Sequence, residues 1–147
     1  MEGMTRTSGF TLLEVIIVAA VIGVVASMVI PGFQNAKKAA NESGCIGTMR
    51  SLMSATETYT LRYGSYPVQM QDLADVDIID EVLGASSALP GKSGYVYTLT
   101  STTGTWSCTA DPITHGITGD RYFYIDSTGV VRSNGSQTAT SADQAVE

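Results

Sequence analysis

An uninterrupted apolar run near the amino terminus constrains this chain more than any other feature. From Val15 to Ile30 the sequence reads VIIVAAVIGVVASMVI, without a charged residue and with Ser27 as its single polar side chain. With Phe10, Leu12, Leu13 and Phe33 at its flanks, the segment approaches the ~20 residues a helix needs to cross a hydrocarbon layer of ~30 Å. A helix on the surface of a soluble core would keep a polar face, and this one is apolar on every side. A cleaved secretory signal would have an apolar region of ~7–15 residues closed by a small-x-small site. This run is longer and ends in Met28-Val29-Ile30-Pro31. The segment is therefore read as a single membrane span.

Glu14 breaks the pattern. A carboxylate at the centre of a bilayer costs on the order of 2.5–3.5 kcal/mol, and less near an interface. Two readings follow. Either Glu14 reaches the headgroups from its place near one end of the span, or it meets a positive partner in apolar surroundings, where such a pair is strong. After Glu14 the next Lys or Arg is Lys37. The partner is thus expected from outside the chain, and a free amino terminus is the obvious candidate.

The stretch Gly9-Phe10-Thr11-Leu12-Leu13-Glu14-Val15 resembles the processing junction of type IV prepilins and of the pseudopilins of type II secretion. The resemblance implies that a membrane aspartyl protease, the prepilin peptidase, cuts after Gly9 and methylates the new terminal Phe10. It places the family's assembly glutamate on Glu14, with the terminal amine of a neighbouring subunit as its partner. Gly23 within the apolar half and the helix-kinking Pro31 are further matches. The leader Met1–Gly9 departs from the basic leaders of the family, with one Arg6 and one Glu2. The implied fold is α+β: a long amino-terminal helix, apolar in its first half and amphipathic in its second, packed on a small antiparallel sheet.

Beyond Pro31, where a kink or a melted turn is expected, the helical pattern resumes with a polar face. Cys45, Met49, Leu52, Thr56 and Tyr59 recur at helical spacing, and Ile46 and Met53 widen the stripe. The helix should stop at Gly64, with Ser65-Tyr66-Pro67 as a turn. Tyr63-Gly64-Ser65-Tyr66-Pro67 resembles the Tyr-x-x-Tyr-Pro element that follows the long helix in many pilin-like proteins. A short helix is predicted over Gln71–Gly84. Tyr95–Thr100 and Thr105–Ala110 alternate with period two and predict a hairpin. Arg121–Ile125 and Val130–Arg132 predict another around Asp126-Ser127-Thr128-Gly129, and this stretch resembles the closing hairpin of bacterial pilins. The expected organisation is a leader over 1–9, a membrane and filament-core half-helix over 10–33, a globular head over 34–132 and a mobile polar tail over 133–147.

Eight Lys and Arg against fourteen Asp and Glu give a net charge of -6, which argues against a nucleic-acid partner. Cys45 and Cys108 both point toward the predicted helix–sheet interface. A disulfide between them is expected, closing a loop of about 63 residues worth about 4 kcal/mol in the chain-entropy model, with two buried free thiols as the alternative. Asp72, Asp75, Asp77, Asp80 and Glu81 lack the glycine and spacing of an EF-hand loop and read as a solvated acidic face. His115 stands alone in a Gly/Thr/Pro loop. No nucleophile has a positioned base, and no cofactor or metal is expected. The expected function is therefore structural rather than enzymatic: a subunit of a bacterial type IV pilus, self-assembling into a homopolymer through its apolar helix. Its partners would be the prepilin peptidase, the inner-membrane assembly machinery and, before assembly, membrane lipid. It would leave the inner membrane for an extracellular pilus. The alternative is a pseudopilin of type II secretion, working in a periplasmic filament, or a minor pilin.

Overall fold

The computed structural model describes residues 9–85 and 91–146. The leader expected over residues 1–9 lies outside the described residues, apart from Gly9. Met1–Asn35 forms one compact unit and Ala36–Glu147 a second. Helix α1 (Leu12–Tyr63) contributes to both.

In the first unit, α1 has no core of its own to enter. Its large apolar side chains, from Leu12 to Phe33, are all more than half exposed, so this stretch needs an apolar environment from outside the unit. The helix continues through Pro31, and the melted turn admitted by the sequence does not occur. Proline removes one donor, the one that would serve the carbonyl of Ser27, and leaves the bonds on either side intact. The Ser27 hydroxyl donates to the Val24 carbonyl at 2.7 Å.

In the second unit, α1 buries Glu42, Cys45, Met49, Leu52, Ala55 and Thr56, a stripe at the helical period. It ends at Tyr63, and Gly64 follows in the left-handed region at φ 75°, which glycine adopts without strain. The helix predicted over Gln71–Gly84 is two short ones, α2 (Met70–Ala74) and α3 (Glu81–Gly84). Asp77, at φ 57°, turns the chain between them. Each has its own aspartate cap: Asp72 accepts the amides of Val68 and Gln69, and Asp80 accepts that of Leu83.

Five strands follow: β1 (Tyr95–Thr102), β2 (Thr105–Pro112), β3 (Tyr122–Asp126), β4 (Arg132–Asn134) and β5 (Gln144–Ala145). They form one antiparallel sheet in chain order. The register pairs Tyr97 with Ala110 and Leu99 with Cys108, so the inward set of β1 and β2 shares one face. Tyr95, Tyr97, Trp106, Cys108, Phe123 and Ile125 are buried with Cys45, Met49 and Leu52 in a single helix–sheet core. Burying each large side chain contributes about 1.5–3 kcal/mol. The α+β architecture expected from the sequence is the one observed.

The tail corrects its expectation. Rather than being mobile, residues 132–146 turn back on the sheet as β4, a loop and β5. Asp143 holds the loop, accepting the amide and hydroxyl of Thr140 and the Asn134 side-chain amide. Ala139 is buried beneath it.

Candidate functional site

Gly9 and Phe10 precede the helix and are exposed, and no atom lies within 4 Å of where a Cβ on Gly9 would sit. Thr11 stands at the cap position. Its amide and its hydroxyl both donate to Oε2 of Glu14, at 2.9 and 2.8 Å, and the Glu14 amide donates to the Thr11 hydroxyl at 3.2 Å. These bonds make a capping box, in which a residue at the third helical position reaches back to serve the first orphan donors. The Glu14 side chain is thereby fixed by one oxygen. Among the described residues Oε1 has no hydrogen-bond partner, and no cation pairs with the carboxylate. Thr11 is the residue that sequence reasoning missed. Its signal was a Thr-x-x-Glu spacing just ahead of an apolar run. A Cβ on Gly23 would meet nothing within 4 Å, so no contact inside this unit demands a glycine there, and Pro31 lies eight residues further along the same helix.

In the second unit a polar cluster ties the β2–β3 loop to the start of the head's portion of α1. Glu42, with its side chain 12% exposed, accepts the Asp120 amide and the Arg121 Nε–H, both at 2.8 Å. Lys38 pairs with Asp120 at 2.8 Å, and the Asn41 side chain donates to the Thr118 carbonyl at 2.8 Å. Gly119 allows the Tyr95 hydroxyl to approach to 2.0 Å from where a Cβ would lie, and that hydroxyl donates to the Arg121 carbonyl.

Cys45 and Cys108 are both buried and both free thiols, so the structure does not contain the expected disulfide. The Cys108 thiol points toward its neighbour's carbonyl, Thr109 O at 3.5 Å. Burial pushes the Cys45 thiol up to about 12, with the Tyr97 hydroxyl offsetting part of the effect. Burial raises Cys108 as well. Neither is an activated nucleophile, since thiolates at neutral pH need the opposite shift. His115 stacks on Tyr122 at 5.6 Å. Within the acidic segment Asp72 and Asp80 accept capping amides and Asp80 also pairs with Lys92, and among the described residues no three His, Cys, Asp or Glu side chains gather in a possible metal site.

The family profile described as the prokaryotic N-terminal methylation motif matches residues 4–30. The chain is 32% identical over 90 residues to the type II secretion system core protein G of Aeromonas hydrophila, covering 61% of this chain and 59% of that protein. It is 33% identical over 92 residues to the protein of the same name from Klebsiella pneumoniae, covering 63% and 61%. This chain belongs to the pilin and pseudopilin family. That family is structural, not enzymatic. A weaker match joins it to the type IV major pilin protein of Neisseria gonorrhoeae, 35% identical over 63 residues, covering 43% and 38%. The chain spans about three fifths of the length of the secretion relatives it matches. Within the family, the pseudopilin resemblance outweighs the pilin one, reversing the order of the two readings made from the sequence.

Proposed function

We propose that this chain is a pseudopilin of a type II secretion system. In this reading the prepilin peptidase cuts between Gly9 and Phe10, the new terminal amine is methylated, and residues 10–33 hold the subunit in the inner membrane. Assembly then exchanges lipid for helix–helix contacts, with Gly23 and Pro31 inside the bundled region and the head from residue 34 outward forming the wall of a periplasmic filament. The observation that carries the reading is the half-satisfied carboxylate at the edge of an unpartnered apolar helix. One oxygen of Glu14 is held by Thr11, and the other is left to accept a neighbour's terminal amine, a pairing that gains strength in apolar surroundings. A charge pair of this kind sets the axial register between subunits.

A type IV pilus subunit is the second reading, favoured by the match to the gonococcal pilin. Intact mass of the chain from the native host separates the two. A processed species starting at methylated Phe10, found in the cell envelope, together with loss of protein secretion on deletion, supports the pseudopilin. An abundant processed species in sheared surface fibres replaces it with the pilus subunit, and an unprocessed chain rejects both. Glu14→Ala should leave the subunit inserted in the membrane and abolish filaments.

A further inference from the structure

The sequence contains one Asn-Gly pair, Asn134-Gly135. Such a pair can lose its side-chain amide without any enzyme. The glycine backbone nitrogen attacks the asparagine side-chain carbon, its proton and the amide group depart as ammonia, and a five-membered cyclic imide closes. Water then opens the imide to aspartate or isoaspartate. Glycine suits the attack because it carries no Cβ. Gly135 is exposed, and nothing lies within 4 Å of where a Cβ on it would sit.

The fold places this pair where the tail leaves the sheet. Asn134 is the last residue of β4 and pairs with Tyr122 of β3. Its Nδ2 donates to Asp143 Oδ1 at 2.8 Å, and its Oδ1 accepts the amides of Ser136 and Gln137 at 2.9 and 3.3 Å. Arg132 Nη1 donates to the Asp143 carbonyl at 3.1 Å. These bonds bring β5 onto β4, a pairing confined to Arg132 with Ala145 and Ser133 with Gln144. They also oppose ring closure. Ladder pairing keeps the Asn134 backbone extended, whereas closure needs the Gly135 nitrogen swung round to the side-chain carbon, and both ends of the side-chain amide are tied. Attack therefore waits for the tail to lift. After conversion, position 134 carries a carboxylate where a donor stood, opposite Asp143. The Thr140 amide and hydroxyl hold Asp143 below the usual aspartate range, so it is ionised at neutral pH. Attraction becomes repulsion, and the isoaspartate form adds a backbone methylene that breaks the register with Tyr122.

We propose that Asn134-Gly135 is a self-modifying site that works as a one-way latch: the closed tail protects the asparagine, and once the tail opens the asparagine deamidates and the tail does not close again. The test uses the full chain in detergent micelles, incubated in mildly alkaline buffer and followed by peptide mass mapping for aspartate and isoaspartate at position 134. The expected result is deamidation at least about ten-fold slower in the folded chain than in urea, with Asp143→Ala at an intermediate rate. Equal rates in the folded and the unfolded chain overturn the latch. Hydrogen exchange at the amides of Gln144, Ala145 and Val146 reads the consequence. Asn134→Asp should exchange there several-fold faster than the unaltered chain, and faster than Asn134→Ala, which removes the donor without adding charge. Exchange in Asn134→Asp no faster than in Asn134→Ala overturns the repulsion on which the one-way step rests.

Discussion

Replacing Glu42 with alanine removes a carboxylate that serves two donors across the helix–loop junction, the Asp120 amide and the Arg121 Nε–H. A hydrogen bond to a charged group contributes about 1.5–3 kcal/mol net. The Arg121 side chain is 42% exposed, so water takes over much of its share, which falls to the range of about 0.2–1 kcal/mol typical of exposed pairs. Glu42→Ala should therefore cost about 2–3 kcal/mol, most of it from the stranded amide. Glu42→Gln keeps an acceptor for that amide and loses only the charge, so it should cost about 1 kcal/mol, as should Arg121→Ala. Urea unfolding of the head, Ala36–Glu147, measures all three. With about 3–5 °C of melting shift per kcal/mol for a unit of this size, Glu42→Ala should melt about 10 °C low. The double variant should cost about 0.5–1 kcal/mol less than the sum of the singles. A loss for Glu42→Ala below about 0.5 kcal/mol, or one equal to that of Glu42→Gln, would refute the partition.

Burial holds the Asp111 carboxyl above the usual aspartate range, only partly offset by a bond from Thr138. A carboxylate raised on folding is a cost once ionised, so the wild type should gain from Asp111 as pH falls through that raised value. Asp111→Asn should then be the more stable protein at about pH 7, with the gap closing toward about pH 4; denaturant midpoints showing a constant gap would contradict this. Cys45 and Cys108 should resist iodoacetamide at neutral pH in the folded head and both react after denaturation, as intact mass would show. Label on the folded protein would break the burial argument, and no label on the denatured, unreduced protein would reveal a disulfide. Gly129 sits at φ 76° with Met53 Cε 2.7 Å from its would-be Cβ, whereas Gly104, at φ 91°, faces open space. The Met53 terminus is flexible and can swing aside, so Gly129→Ala should cost less than about 1 kcal/mol more than Gly104→Ala, and a gap of about 2 kcal/mol or more would show that Met53 cannot give way.

The helix stripe at Cys45, Met49, Leu52 and Thr56 is legible in the sequence because one face is buried against a single partner, and that preserves a clean period. The β1–β2 hairpin is legible for the same reason at period two. Features decided by polar bonds between distant residues are not. β5 is two residues long, and only the Asp143 network reveals that the tail is ordered. Glu42 leaves a trace, since one step back along the stripe from Cys45 lands on a charged residue, but its partner Arg121 lies far away in sequence. The separation of α2 from α3 depends on one aspartate in the left-handed region, which no periodicity reports. The disulfide expectation rested on two cysteines sharing an interface. A shared face does not bring Cα atoms within the ~4.4–6.8 Å that a disulfide needs.

The sheet closes with β5, beside which the Val146 amide bonds to the Val131 carbonyl. Synthesis delivers the amino-terminal side first. The core stripe of α1 therefore emerges with nothing to pack on until β1, β2 and β3 arrive, some fifty to eighty residues later. Until β5 is in place, the outer edge of β4 remains an unpaired strand, open to any neighbour. The order of delivery thus sets a period during which α1 is complete while the head is still unfinished, and the pairing of β5 with β4 ends it.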